Sequence, residues 1–158
     1  MAETYTFIDA RTDTLKGLFA AATYLNAGLP SGETVTLYKG PHDAGMPEPA
    51  PWAVYIFRAG LPSFDYGVRG EPTLVTQEMV IACVSSYPTG REEMEEYVSY
   101  LAANTVRVLL GGKQVTGAAG WHKGIITDSD ALTIRNRRNN TTAEVELFGF
   151  NIEYEVDA

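Results

Sequence analysis

The stretch from residue 74 to 112 limits the fold more than any other part of the chain. Residues 74 to 79 begin it with a half-exposed alternation. Met79, Val80, Ile81, Ala82, Cys83 and Val84 then follow one another without a polar break. Such a run predicts a central strand covered on both faces. Ser85, Ser86, Tyr87 and Pro88 are expected to end it, because Pro88 cannot donate to a ladder and restricts Tyr87 as well. A long helix is expected next. Thr89 and Glu92 have capping-box spacing, and Glu92, Glu93, Glu95 and Glu96 crowd its positive end. Met94, Tyr97, Val98, Leu101, Thr105, Val108 and Leu109 share one stripe of a 3.6-residue repeat. Gly111-Gly112 offers a left-handed stop. About twenty residues give a rod of roughly 30 Å, long enough to cross a sheet.

The remainder supplies partners for this unit. Residues 9–27 read as a first amphipathic helix with Ile8, Leu15, Leu18, Phe19, Ala22 and Leu25 on one face, ended by Gly28 and Pro30. Gly17 lies inside it and is expected to let the helix approach a sheet closely. Residues 34–39 and 52–58 read as short strands, separated by a loop holding Pro41, Pro47, Pro49 and Pro51. Residues 59–72 read as a long hairpin-like loop. Such loops are uncommon unless they work, and the aromatic Phe64 and Tyr66, with Arg69, mark this one as a docking arm. Residues 112–131 read as a second irregular region, 132–137 as a strand, and Asn139-Asn140 as a hairpin turn. The closing strand, 143–156, has Phe148, Phe150, Ile152, Tyr154 and Val156 on one side and Asn151, Glu153 and Glu155 on the other. Gly149 is expected to mark a bulge there. The order predicts an α+β fold: a mainly antiparallel sheet with two amphipathic helices packed on one face. At 158 residues one domain is expected, spanning 1–158.

No catalytic motif interrupts this reading. Gly112-Lys113-Gln114 lacks the rest of a phosphate loop. The two histidines, His42 and His122, fall in loops and are too few for a ligand cluster. Ser129 or Thr127 with His122 and Asp128 or Asp130 is a conceivable nucleophile arrangement, but no nucleophile-elbow spacing supports it. The sequence is therefore expected to carry no catalytic, cofactor or metal site. Cys83 is the single cysteine, expected to be a packing residue, so no disulfide forms within a chain. The net charge of −8 argues against broad binding to nucleic acid or anionic lipid. No apolar run reaches the length needed to span a bilayer. Arg135, Arg137 and Arg138 form the one basic cluster, at a hairpin tip. They and the acidic Glu153 and Glu155 could complement each other between copies of the chain, closing into a ring.

With these elements placed, the chain resembles the tail terminator, or tail-completion, proteins of long-tailed bacteriophages, the tail-to-head joining group. The resemblance rests on the opening helix ending in Gly28-Leu29-Pro30, the strand 52–57 after a Pro-rich approach, the strand–helix unit 76–110, and the closing Leu147-Phe148-Gly149-Phe150-Asn151-Ile152-Glu153-Tyr154. It implies a structural virion protein, not an enzyme, that forms a homo-oligomeric ring, commonly a hexamer. Such a ring caps the tail tube, meets the head connector and neck proteins, and lets DNA pass through its lumen. It would be assembled in the host cytoplasm and would not contact a membrane. The alternatives are a head-closure or tail-tube subunit, or a small enzyme or ligand-binding domain built around His122.

Overall fold

The structure is a computed structural model that describes residues 7–30, 32–40, 51–70, 72–88, 94–136 and 141–156. The elements in chain order are α1 (Phe7–Ala21), β1 (Thr36–Lys39), β2 (Trp52–Tyr66), β3 (Pro72–Pro88), α2 (Met94–Gly111), β4 (Lys123–Asn136) and β5 (Thr141–Glu155). The fold is α+β, as the patterning predicts. One five-stranded sheet runs in the order β1-β2-β3-β5-β4. Only β1 and β2 pair in parallel; every other neighbour is antiparallel.

Strand parity explains the two layers. Val54 and Ile56 of β2, Val75, Met79, Ile81 and Cys83 of β3, and Phe148, Phe150, Ile152 and Tyr154 of β5 point to one face. Leu15 and Phe19 of α1 and Leu101, Ala102, Val108 and Leu109 of α2 close over that face in a single buried cluster. The opposite face carries a second, smaller cluster of Ala53, Tyr55, Ala82, Val84 and Val145, to which no helix contributes. Tyr38 of β1 stacks on Tyr55 there, ring centroids 4.8 Å apart. The central run of β3 is thus buried on both sides, as its unbroken apolar sequence demands. Cys83 is fully buried, and its Sγ shares a hydrogen bond with Thr105 Oγ1 at 3.1 Å. Burial pushes the thiol pKa up to about 12.

Several boundaries differ from expectation. Helix α1 stops at Ala21, and the chain continues to residue 29 in turns closed by bonds such as Leu25 N–H to Ala22 carbonyl and Ala27 N–H to Tyr24 carbonyl. These keep Leu25 buried, which is why the apolar face reads as one longer helix. Gly17 is exposed, and a Cβ there would meet nothing within 4 Å, so it provides no close approach to the sheet. The close approach is at Gly28, whose φ of +86° and contact with the Tyr100 side chain both exclude a larger residue. Strand β3 continues through Ser85 and Ser86 to Pro88, because β5 reaches equally far and pairs with it. The capping residues Thr89, Glu92 and Glu93 lie outside the described residues. At its other end α2 does not turn left-handed at Gly111-Gly112; the Gly112 N–H bonds to the Val108 and Leu109 carbonyls. Its own carbonyl accepts the Trp121 Nε1–H at 2.7 Å.

The two regions read as loops are largely sheet. Strand β2 continues through residues 59–66, with a register irregularity between Ala59 and Ser63, and turns back into β3, so the expected hairpin-like loop is a true hairpin with a short connection. Strand β4 begins at Lys123, which leaves only 112–122 irregular. The bulge expected at Gly149 belongs to β4, between Ile126 and Ser129. Gly149 faces it, and a Cβ there would lie 2.5 Å from Thr127 Oγ1.

Candidate assembly surface

The β2–β3 hairpin brings exposed apolar side chains to one end of the sheet. Leu61 is 95% exposed and Tyr66 66% exposed, and Val68 at the turn is fully exposed. Phe64 lies beside them at the edge of exposure, with Arg69 in the turn also exposed. Alternation alone would send half of these residues inward. They stay out because this part of β2 takes no part in the helix-covered core: of its pairs, Ser63 to Thr76 through Tyr66 to Pro72, only Val75 on the β3 side belongs to that core. Leaving that much apolar surface in water is unfavourable by about 25 cal/mol per Å², and such a patch marks an interaction site.

Glu153 and Glu155 fall at the same end. Glu155 is opposite Leu74, which is itself opposite Asp65 of β2. By parity Glu153, Glu155, Asp65 and Glu78 share the face without helices. His122 Nε2 meets Glu153 Oε1 at 2.7 Å. Five of the residues singled out from the sequence, Phe64, Tyr66, Arg69, Glu153 and Glu155, are therefore gathered at one end of the molecule. Arg135 is not with them. It pairs with Thr142 near the far tip of the β4–β5 hairpin. A strand rise of ~3.3 Å per residue puts that tip roughly 35 Å from Glu153. Arg137 and Arg138 lie outside the described residues. Acidic and basic ends so far apart cannot pair within one copy.

One functional side chain carried no signal in the sequence. Arg11, in α1, is 2% exposed. Its guanidinium donates from Nε to the Gly120 carbonyl at 3.3 Å and from Nη2 to the Ala118 carbonyl at 3.0 Å. It also stands 4.2 Å from the Tyr154 ring centroid. Tyr154 in turn donates its hydroxyl to Gln77 Oε1 at 3.1 Å, in the buried layer. This chain of contacts ties the glycine-rich loop to α1 and to β3 and β5. An arginine in the first turns of an amphipathic helix reads as a solvated residue, so patterning passes over it.

The catalytic arrangement considered from the sequence does not form. His122 immediately precedes β4 and Ser129 lies within it, roughly 20 Å apart by the strand rise, far outside hydrogen-bond reach. Thr127 is turned over Gly149. A cavity of about 240 Å³ near His122 is walled by Arg11, residues 114–118, Gly120, Trp121, Tyr154 and Glu155. Its guanidinium is committed to loop carbonyls and a ring. Among the described residues no group of three or more His, Cys, Asp or Glu side chains is placed to hold a metal. Nor is any helix among them long and apolar enough to cross a membrane.

No known family matches the sequence, and no curated protein matches it. Among solved structures, the fold is similar to that of a chain in the virion of a native gene transfer agent particle. The two share 16% sequence identity with a TM-score of 0.53, over 95% of this chain and 99% of that chain. The chain thus has a fold used, at nearly the same length, in a virion particle.

Proposed function

We propose that this protein is a structural component of a phage-like virion, a tail terminator that forms a ring at the tail–head junction. The observation that carries the reading is the hairpin end of the sheet, where Leu61, Phe64, Tyr66 and Val68 face solvent. A soluble chain keeps such a surface when another protein covers it. The end-to-end likeness to a chain of a virion particle supports the same class of role. So does the failure of the candidate catalytic residues to converge.

In this reading each copy contributes a single domain to a homo-oligomeric ring, six being the expected number. The acidic end of one copy, with Glu153 and Glu155, meets the arginine-bearing hairpin of the next, with Arg135, Arg137 and Arg138. Such a head-to-tail contact is heterologous and closes when the rotation permits. The aromatic arm, with Phe64, Tyr66 and Arg69, docks on the tail-tube protein or on the head-connector proteins. DNA passes through the lumen without specific binding, consistent with a net charge of −8. Assembly takes place in the host cytoplasm.

Electron microscopy of the purified protein mixed with tail tubes tests this. Rings seated on tube ends, with tube growth halted, are the expected result. Open tubes of the protein itself would make it a tube subunit instead. Tubes that keep growing, with bare ends, would overturn the terminator reading.

A further inference from the structure

The sheet has two long edges that no described strand covers. Beyond Ile56 the outer side of β2 is open, because β1 pairs only with residues 53–56 and the Gly40 N–H adds one further bond to the Ile56 carbonyl. Backbone groups alternate sides along a strand, so Arg58, two residues on, presents its N–H and carbonyl to the same open side. At the other edge of the sheet β4 is bonded to β5 alone. Exposure agrees with the pairing: Leu61 on β2 is 95% exposed and Ile125 on β4 47%. Unpaired edges of this length invite pairing with another chain unless something covers them.

The two edges match each other. Along β2, Arg58 is followed seven residues later by Asp65; along β4, Lys123 is followed seven residues later by Asp130, with Asp128 just before it. Both spans contain a register irregularity, between Ala59 and Ser63 in β2 and between Ile126 and Ser129 in β4. Antiparallel alignment sets Asp65 beside Lys123, whereas parallel alignment sets Asp65 against Asp130. Arg58 registers onto Met79 on the helix-covered face and Asp130 onto Leu147 on the other, so the charge match rests on Asp65 and Lys123. Asp65 and Lys123 also share a face, since both register onto the acidic side of β5 through Leu74 and Glu155 and through Glu153. Pro62 and the irregularity beside it refuse a straight strand of arbitrary sequence. A partner bent at the same place is what fits.

We propose that the free edge of β2, residues 57–66, accepts the free edge of β4 from a second copy of this chain in antiparallel, so that each sheet continues into the next. This rests on the reading that copies of the chain form a ring, and it closes the ring along the sheet edges. Like ends then lie side by side, so it stands in place of the end-to-end contact of Glu153 and Glu155 with Arg135, Arg137 and Arg138. The sheets of successive copies keep the same orientation, because β2 and β4 already run in opposite directions within one sheet. Strand addition of this kind draws affinity from main-chain bonds and register from the side chains.

The test is a charge exchange. Asp65→Lys and Lys123→Asp are made singly and together, and self-association is followed by analytical ultracentrifugation, with capping of tail tubes in electron micrographs as the readout if the free protein is monomeric. Each single change is expected to weaken association, or capping, by about tenfold or more. The double change is expected to restore it. Single variants that assemble like the parent would overturn the strand pairing and leave the ring reading standing. A parent that neither associates nor caps tubes would end both. Asp65→Cys with Lys123→Cys gives a direct check: mild oxidation is expected to yield a ladder of covalent multimers. The native Cys83 is buried and stays silent. Cross-links formed to the tube protein alone would overturn the choice of a second copy as the occupant.

Discussion

Arg11 shows how a single side chain can hold distant parts of a sheet protein together. Its two bonds to the Ala118 and Gly120 carbonyls are charge-assisted and lie in a buried setting. Arg11→Met keeps the aliphatic stem and removes both. The expected loss is about 3 kcal/mol, read as a lower midpoint in urea unfolding. Gly17 is the converse case. It sits exposed inside α1 with open space around it, so Gly17→Ala is expected to stabilise by about 1 kcal/mol, checked by thermal unfolding. Glu146 carries a sign worth working out. It lies opposite Cys83, on the helix-covered side of β5, and partial burial raises its pKa above the usual carboxylate value. Folding then favours the protonated form, so the native state binds more protons than the unfolded chain between the two pKa values. Stability falls as pH rises through that window. Glu146→Gln should raise the melting temperature at neutral pH, and the gain should vanish below pH ~4, where the parent is protonated in both states. An equal gain at every pH would show that the effect is not ionisation.

At the scale of elements, the sequence was most legible where one physical demand acted alone. The apolar run of β3 and the stripe of α2 had a single solution each, and both formed. So did the closing strand, whose alternation shows which side faces the helices. Beginnings and ends were harder, because pairing partners set them. Ser85, Ser86 and Pro88 are poor strand residues, yet β5 extends alongside and carries them into the sheet. The first half of β4 was hidden for another reason. Thr127, Asp128, Ser129 and Asp130 are polar on both faces, and a bulge breaks their period. An edge strand with one bonded neighbour tolerates such a sequence where a central strand would not. The glycines and the two prolines of 59–72 likewise read as loop, although they bend and close a hairpin. That hairpin should be energetically separable from the core. Leu61→Ser with Val68→Ser is expected to change unfolding free energy by no more than about 0.5 kcal/mol, because both side chains are exposed. The same pair should abolish assembly with tail tubes, scored by co-sedimentation.

For the whole molecule the decisive property is its polarity. The aromatic arm and the acidic residues Glu153 and Glu155 are at one end of the sheet, and Arg135 is near the other. Sequence reading identified these residues but could not know that they separate, because the separation depends on β5 lying between β3 and β4. A subunit with unlike ends cannot satisfy itself and is suited to head-to-tail contacts. Reversing Arg135, Arg137 and Arg138 to Glu should leave circular dichroism unchanged and remove the oligomer from native mass spectra. Unchanged oligomer mass would show that the contact does not use this tip.

The clasp between Arg11 and the glycine loop spans 109 residues of chain. On the ribosome, α1 emerges 109 residues before the loop carbonyl that holds it, so its apolar stripe must wait for that stretch to be made. Helix α1 thus settles late relative to its own synthesis, and its apolar side chains stay exposed until the segments that cover them have emerged. Nascent chains halted short of Gly120 should expose α1 to protease, and chains extended through β5 should not.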